Sequence, residues 1–277
     1  MISVYKCNGL GNDFLLINAN NGNPVPLKKQ RDTSINWCDR KIGLRKDDSR
    51  IGADGLIFIE SSAVADVNMH LYNADGTIPE MCGNGVRCLA YIALKLELVK
   101  PGPFTVETVA GVMKISNVIK MSEGTFSCTV DMGEPMSEPV QSIEMGTEFV
   151  EIRPVSMGNP HGVIFFEEPV GIEHVHKYGP IIEKNTLFPE GANIEFSHIK
   201  HNQSVSVHVW ERGAGATQAC GTGACAVVVA GVLADKLNRT VEVGLPGGVL
   251  DITWDKDNNH VFMTGPVTNE YHIELEL

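Results

Sequence analysis

Gln218-Ala219-Cys220-Gly221-Thr222-Gly223-Ala224-Cys225 runs directly into AVVVAGVLADKL (226–237), whose first nine residues, AVVVAGVLA, have no polar face. A turn of alternating glycines followed by such a run predicts a helix that starts abruptly and is buried all round. The same device occurs earlier. Glu80-Met81-Cys82-Gly83-Asn84-Gly85-Val86-Arg87-Cys88 leads into LAYIALKLELV (89–99). The two C-G-[NT]-G turns stand 138 positions apart (82 to 220) in a chain of 277 residues. Flanking segments keep nearly the same offset: VNMHLYN (67–73) matches VSVHVWE (205–211), and Gly111-Val112-Met113-Lys114-Ile115 matches Gly248-Val249-Leu250-Asp251-Ile252. Several matches in one order at one offset predict a duplicated unit.

The flanking segments alternate apolar and polar residues and are rich in β-branched and aromatic types, as half-buried strands are; FTVETVAG, FSCTVDM, TVEVGL and GVLDITW read the same way. The fold class predicted is mixed α+β. Two pseudo-symmetric domains are expected, each a curved β-sheet or barrel wrapped around one central helix. The halves divide as 1–127 with 266–277, and 128–265, with an active site in the cleft between them. TGPVTNEYHIELEL (264–277) reads as two closing strands that return to the first half. Residues 28–55 hold a short helix ending near Lys41, then a charged loop at 44–50.

Composition narrows the function. Charged residues make up 20% of the chain and the formal net charge is -12, which gives no electrostatic reason to expect a nucleic acid or an anionic membrane as partner. The N-terminal stretch MISVYKCNGLGNDF carries no export signal and no apolar run is long enough to span a bilayer, so a cytoplasmic enzyme is expected. The seven cysteines (7, 38, 82, 88, 128, 220 and 225) include no C-x-x-C pair. Neither a zinc module nor a disulfide scaffold is indicated, and no metal or cofactor is expected.

Cys82 and Cys220 each sit where a turn becomes a helix. The unpaired N–H groups of a first helical turn favour negative charge beside them, so a thiol there is expected to have a lowered pKa. A substrate carboxylate would be held by the same donors as its α-carbon loses a proton. Two such cysteines facing one cleft can remove a hydrogen from one face of a stereocentre and return a proton to the other, inverting it without a cofactor. A nucleophilic protease would instead need one cysteine with one histidine. Cys88 and Cys225 lie farther along the helices and read as core, and His70 and His208 as packed or surface residues.

With these residues in view, the chain resembles the diaminopimelate epimerase family along nearly its full length. The resemblance is carried by KCNGLGNDF (6–14), RIGADGL (50–56), YNADGTIPEMCGNGVR (72–87), SMGNPH (156–161) and ERGAGATQACGTGACA (211–226). It implies reversible conversion of LL-2,6-diaminopimelate to the meso form, in lysine and peptidoglycan-precursor biosynthesis, with Cys82 and Cys220 as the two bases. It implies a homodimer and domain closure over a small amino-acid substrate. It also implies that Asn12, Asn73, Asn159 and Asn193 hold substrate, and that Glu211 and Arg212 grip its distal end. Gly83-Asn84 and Gly221-Thr222 would receive the reacting carboxylate, and His161 with Glu211 would tune the Cys220 side. The chain departs from the family pattern at Gly55, where some members carry Gln, and at Ala216, where Glu is usual. The alternatives are a racemase or epimerase of proline or hydroxyproline, which has less need of Glu211-Arg212, and a non-catalytic binding protein.

Overall fold

Among the described residues the chain forms four helices: α1 (Leu27–Cys38), α2 (Gly83–Lys95), α3 (Ile172–Glu183) and α4 (Gly221–Leu233). The computed structural model describes the chain apart from residues 21, 23, 47, 48, 80, 81, 147, 276 and 277, and gives residue 46 in its backbone alone. The chain divides into two compact units, Met1–Val130 with Gly265–Leu277, and Asp131–Thr264.

In the first unit, strand Ile2–Gly9 pairs antiparallel with Asn12–Asn18 on one side and with Val261–Leu275 on the other, from Ile2 opposite Leu275 to Asn8 opposite Thr268. Asn12–Asn18 then pairs parallel with Gly55–Glu60, which runs antiparallel to Val67–Asn73. Val67–Asn73 is parallel to Phe104–Thr108, and Gly111–Ser122 completes a hairpin with it. Thr125–Asp131 joins the last strand to Val261–Leu275 and closes an eight-stranded barrel. Parallel neighbours need a crossover, and the two crossovers here are α1 and α2. Of these α2 is the central one: every residue from Gly83 to Ala93 is buried, and strands of the barrel pack around it.

The second unit repeats this plan. Pro160–Phe166 is parallel to Asn193–His201 with α3 between them, and Ser204–Glu211 is parallel to Thr240–Leu245 with α4 between them. Residues Gly221–Gly231 of α4 are buried, sheathed by Glu148–Ser156, Pro160–Phe166, Asn193–His201, Thr240–Leu245 and Gly248–Trp254. This is the fold class expected from the doubled turn, and Cys88 and Cys225 are core. Burial pushes the thiols of Cys7, Cys38 and Cys128 up to about 12, as suits packing residues.

Three local expectations change. The helix expected to reach Lys41 ends at Cys38, because the Asp39 carboxylate accepts the N–H groups of Lys41 (2.6 Å) and Ile42 (2.9 Å) and turns the chain. The closing segment is one strand where two were expected, since its inward–outward alternation continues through Gly265 and Pro266. The charged loop at 44–50 includes a short pairing of Arg45–Lys46 with Ser49–Arg50; residues 47 and 48 lie outside the described residues.

Helix α3 was not anticipated from the sequence. It lies along Ser204–Glu211, and a Cβ at Gly179 would overlap the Trp210 ring, whose Nε1 donates to Glu183 Oε2 at 2.7 Å. With the ring pinned, Gly179→Ala is expected to cost about 1–3 kcal/mol by overpacking. Urea unfolding would show this as a lower midpoint at unchanged slope.

Candidate active site

Each central helix is capped by its cysteine. In α2 the Cys82 Sγ accepts the Gly85 N–H at 3.4 Å, and in α4 the Cys220 Sγ accepts the Gly223 N–H at 3.4 Å. A thiol in place of the usual hydroxyl or carboxylate still meets one orphan donor of the first turn, and this fixes the sulfur at the helix mouth.

Around Cys82, Gly83 and Asn84 open the helix, and the buried Asn84 side chain accepts from Arg87 Nη2 at 2.9 Å, leaving its role at the helix mouth to the backbone. Asn12 begins its strand with a buried Oδ1 that has no hydrogen-bond partner, an acceptor left open. The turn before it is held by polar groups that sequence reading left unassigned. Leu10 and Gly11 adopt left-handed conformations, Asn8 Oδ1 accepts the Gly11 N–H at 2.9 Å, and Asn8 Nδ2 donates to Asp13 Oδ1 at 2.6 Å. Asp13 also meets Lys6 at 3.1 Å and Arg40 at 3.2 Å. Burial alone would raise the Asp13 carboxyl, but the Asn8 hydrogen bond and the Lys6 ammonium hold it below the usual range. Asn73, at the end of its strand, donates to Thr77 Oγ1 at 2.9 Å. Gly55 opens the neighbouring strand, where a Cβ would stand 2.9 Å from the Tyr72 carbonyl oxygen, so glycine here suits the packing.

The second unit gathers more groups around its cysteine. Cys220 is 6% exposed and its Sγ lies 3.5 Å from Thr222 Oγ1. Asn159 Nδ2 donates to that hydroxyl at 3.3 Å, and His161 Nε2 lies 3.1 Å from Asn159 Oδ1. His161 Nδ1 in turn lies 2.7 Å from Glu195 Oε1, and both of these side chains are 0% exposed. Glu211 accepts from Thr217 Oγ1 at 2.5 Å, and Asn193 Oδ1 accepts the Arg212 N–H at 2.9 Å. The Arg212 guanidinium extends to the Glu190 carbonyl at 3.4 Å, whereas Glu211 acts on the thiol. Ala216 lies opposite Trp210 in the short strand Gly215–Thr217 and packs on the apolar cluster there.

The electrostatics correct one expectation. The Cys220 thiol is pushed well above its ordinary value: burial dominates, and the Glu211 and Glu195 carboxylates add to it, against weaker lowering by Thr222 and the Gly223 N–H. A helix N-terminus favours thiolate only within its own first turn, and here desolvation and two anions outweigh it. Burial likewise raises Glu195 and Glu211. Glu195 is the residue sequence reading missed; the available signal was one carboxylate between the apolar residues Ile194 and Phe196 in a strand start. Among the described residues no cluster of histidine, cysteine and acidic side chains is arranged for a metal, and no helix is long and apolar enough to cross a membrane.

Comparison with known proteins follows the same motifs. The family model described as diaminopimelate epimerase matches residues 4–137 and 154–269. A diaminopimelate epimerase of Desulforapulum autotrophicum is 40% identical over 283 residues, covering 98% of this chain and 97% of that protein. One of Desulfitobacterium hafniense is 42% identical over 279 residues, covering 96% and 95%. Among solved structures, a Bacillus anthracis phenazine biosynthesis protein of the PhzF family superposes with a TM-score of 0.70 at 15% identity over 100% of this chain and 99% of that one, a likeness of fold.

Proposed function

Because the chain belongs to the diaminopimelate epimerase family, we propose that it interconverts LL-2,6-diaminopimelate and the meso form with Cys82 and Cys220 as paired acid and base. The observation that carries the reading is the recurrence of one device in both units: a cysteine sulfur capping a buried central helix. In this reading the two thiols address opposite faces of one α-carbon. The first-turn N–H groups of α2 and α4 receive the carboxylate as charge develops on it. The buried Oδ1 of Asn12 accepts from a substrate ammonium, with Asn73, Asn159 and Asn193 as further polar contacts. Arg212 takes the distal carboxylate, while Glu211 shares its influence between the distal ammonium and Cys220. His161 supports the Cys220 side.

Burial and two carboxylates favour Cys220 as the neutral thiol, so Cys82 acts as base in the first turnover and Cys220 as acid. The Cys82 sulfur takes the α-hydrogen as a proton, leaving the electron pair delocalised into the carboxylate. The Cys220 S–H proton then closes the opposite face. Both sulfurs end with their protonation exchanged, ready for the reverse reaction. A homodimeric, cytoplasmic enzyme without a cofactor is part of the same proposal.

The test is to incubate the reduced protein, without added cofactor, with LL-diaminopimelate in heavy water. α-Deuterium incorporation and meso product are expected together. Turnover of proline or hydroxyproline, with diaminopimelate left untouched, would overturn the substrate assignment.

A further inference from the structure

The groups described around Cys220 form one continuous chain of hydrogen bonds. It runs from Glu195 Oε1 to His161 Nδ1 (2.7 Å), from His161 Nε2 to Asn159 Oδ1 (3.1 Å), from Asn159 Nδ2 to Thr222 Oγ1 (3.3 Å), and from Thr222 Oγ1 to Cys220 Sγ (3.5 Å). Every member of the chain but Glu195 was already placed at the site, and Glu195 stands at its fully buried end. A Cβ at Gly223 would lie 2.6 Å from its Oε1, so the glycine next to the helix cap leaves room for this carboxylate.

We propose that Glu195 is a positioning residue which, through His161, Asn159 and Thr222, sets whether Cys220 gives or receives the hydrogen bond it shares with Thr222. The inference rests on the reading of Cys220 as an acid/base group. Its logic is the donor count of the side chains. When the Glu195 carboxyl holds a proton, it donates that proton to His161 Nδ1, and His161 presents Nε2–H to Asn159 Oδ1. The Asn159 amide then donates to Thr222, and the Thr222 hydrogen is left for the sulfur, which favours the thiolate. When Glu195 has lost that proton, the His161 N–H stands at Nδ1 and donates to the Glu195 carboxylate, and its Nε2 becomes an acceptor. The Asn159 amide turns over in place, Thr222 donates to Asn159, and the Thr222 oxygen accepts from the Cys220 S–H. One proton on the buried pair separates the two arrangements. The Glu195 Oε2 atom is buried without a partner, so the second arrangement holds its carboxylate at a desolvation cost that one added proton relieves. The charged and titratable groups acting on this region are His161 on its own strand, Glu211 on Ser204–Glu211, and Cys220 at the start of α4.

Glu195→Gln supplies an amide N–H to His161 Nδ1 and freezes the first arrangement at every pH. In the full-length protein, Cys220 alkylation by iodoacetamide is followed between about pH 7 and about pH 11 by peptide mass spectrometry, with Cys82 read in the same digests. The Cys220 midpoint is expected to fall by about one unit in Glu195→Gln, with Cys82 unmoved. The KM for diaminopimelate is expected to stay within about twofold, while one limb of the pH–rate profile disappears. Glu195→Ala, which cannot orient His161, is expected to lose about tenfold or more in kcat without lowering the midpoint. An unchanged midpoint and profile in Glu195→Gln would overturn the proposal. So would a fall that persists in Glu195→Gln/Thr222→Val, because the carboxylate would then act through space. If Glu195→Gln fails to fold, Thr222→Val alone decides: a raised Cys220 midpoint supports the chain, and an unmoved one overturns it. Alkylation needs no substrate, so failure of the diaminopimelate assignment would leave this test intact.

Discussion

Cys82→Ala and Cys220→Ala are each expected to lower kcat for inversion by about 10³–10⁴-fold while failing differently in heavy water. The site around Cys220 makes the two variants unequal. Burial and the Glu211 and Glu195 carboxylates there oppose the thiolate. In Cys220→Ala, Cys82 still abstracts the α-hydrogen of whichever stereoisomer faces it, and the solvent-exchanged sulfur returns deuterium to the same face. Slow exchange with retention is therefore expected. In Cys82→Ala the remaining group is a thiol that first has to lose its own proton, so exchange from its face is expected to be much weaker and to appear only as pH rises. Mass and chiral analysis of recovered substrate distinguishes these outcomes. Equal exchange by both variants would refute the assignment of Cys220 as the resting acid. Both replacements also remove a helix cap, worth about 1 kcal/mol, and a thermal melt separates that loss from chemistry.

The second large effect concerns stability. His161→Phe is expected to destabilise the protein by about 3 kcal/mol near neutral pH, because it strands a fully buried carboxyl. The loss is expected to shrink in acid. Burial raises the Glu195 carboxyl, and the His161 charge and hydrogen bond are what restrain that rise. With the folded value above the unfolded one, the native state keeps a proton that the unfolded chain has already released. The stability linked to this group is thus fully present below its unfolded value and is lost as pH rises through the folded one. Removing His161 raises the folded value further and widens that window. Urea unfolding at about pH 5 and about pH 8 checks the sign, and an equal loss at both would exclude it. Asp13 works in the opposite sense, since a lowered carboxyl loses its contribution as pH falls.

The architecture was readable because two turns and two apolar runs recur at one offset, and a helix without a polar face, such as Ala226–Ala234, has to be enclosed. Helix α3 was hidden: Gly179 and Pro180 are poor helix formers, and its span is fixed by packing of Val175 and Ile182 into a cluster with Ile194 and Phe196. The parallel pairings were hidden too, since alternation reports a strand's faces but not its neighbours. At the candidate site, the place of Cys82 and Cys220 at the two helix starts was legible from spacing. The protonation of Cys220 was not, because it depends on Glu195 and Glu211, which stand 25 and 9 positions before it (195 and 211 against 220) and meet it only in the folded unit. Local sequence gives the helix mouth; the field there is a tertiary property.

The last strand of the first barrel is supplied from beyond residue 264, pairing Thr268 through Leu275 with Asn8 back to Ile2. Synthesis therefore completes the second unit, a continuous segment, before the first can close. On the ribosome, residues 1–130 must wait as a seven-stranded sheet with two open edges, exposing the apolar sheath of α2 until the closing strand emerges. The order of maturation is consequently the reverse of the order of translation: the half carrying Cys220 can be finished first, and the half carrying Cys82 last.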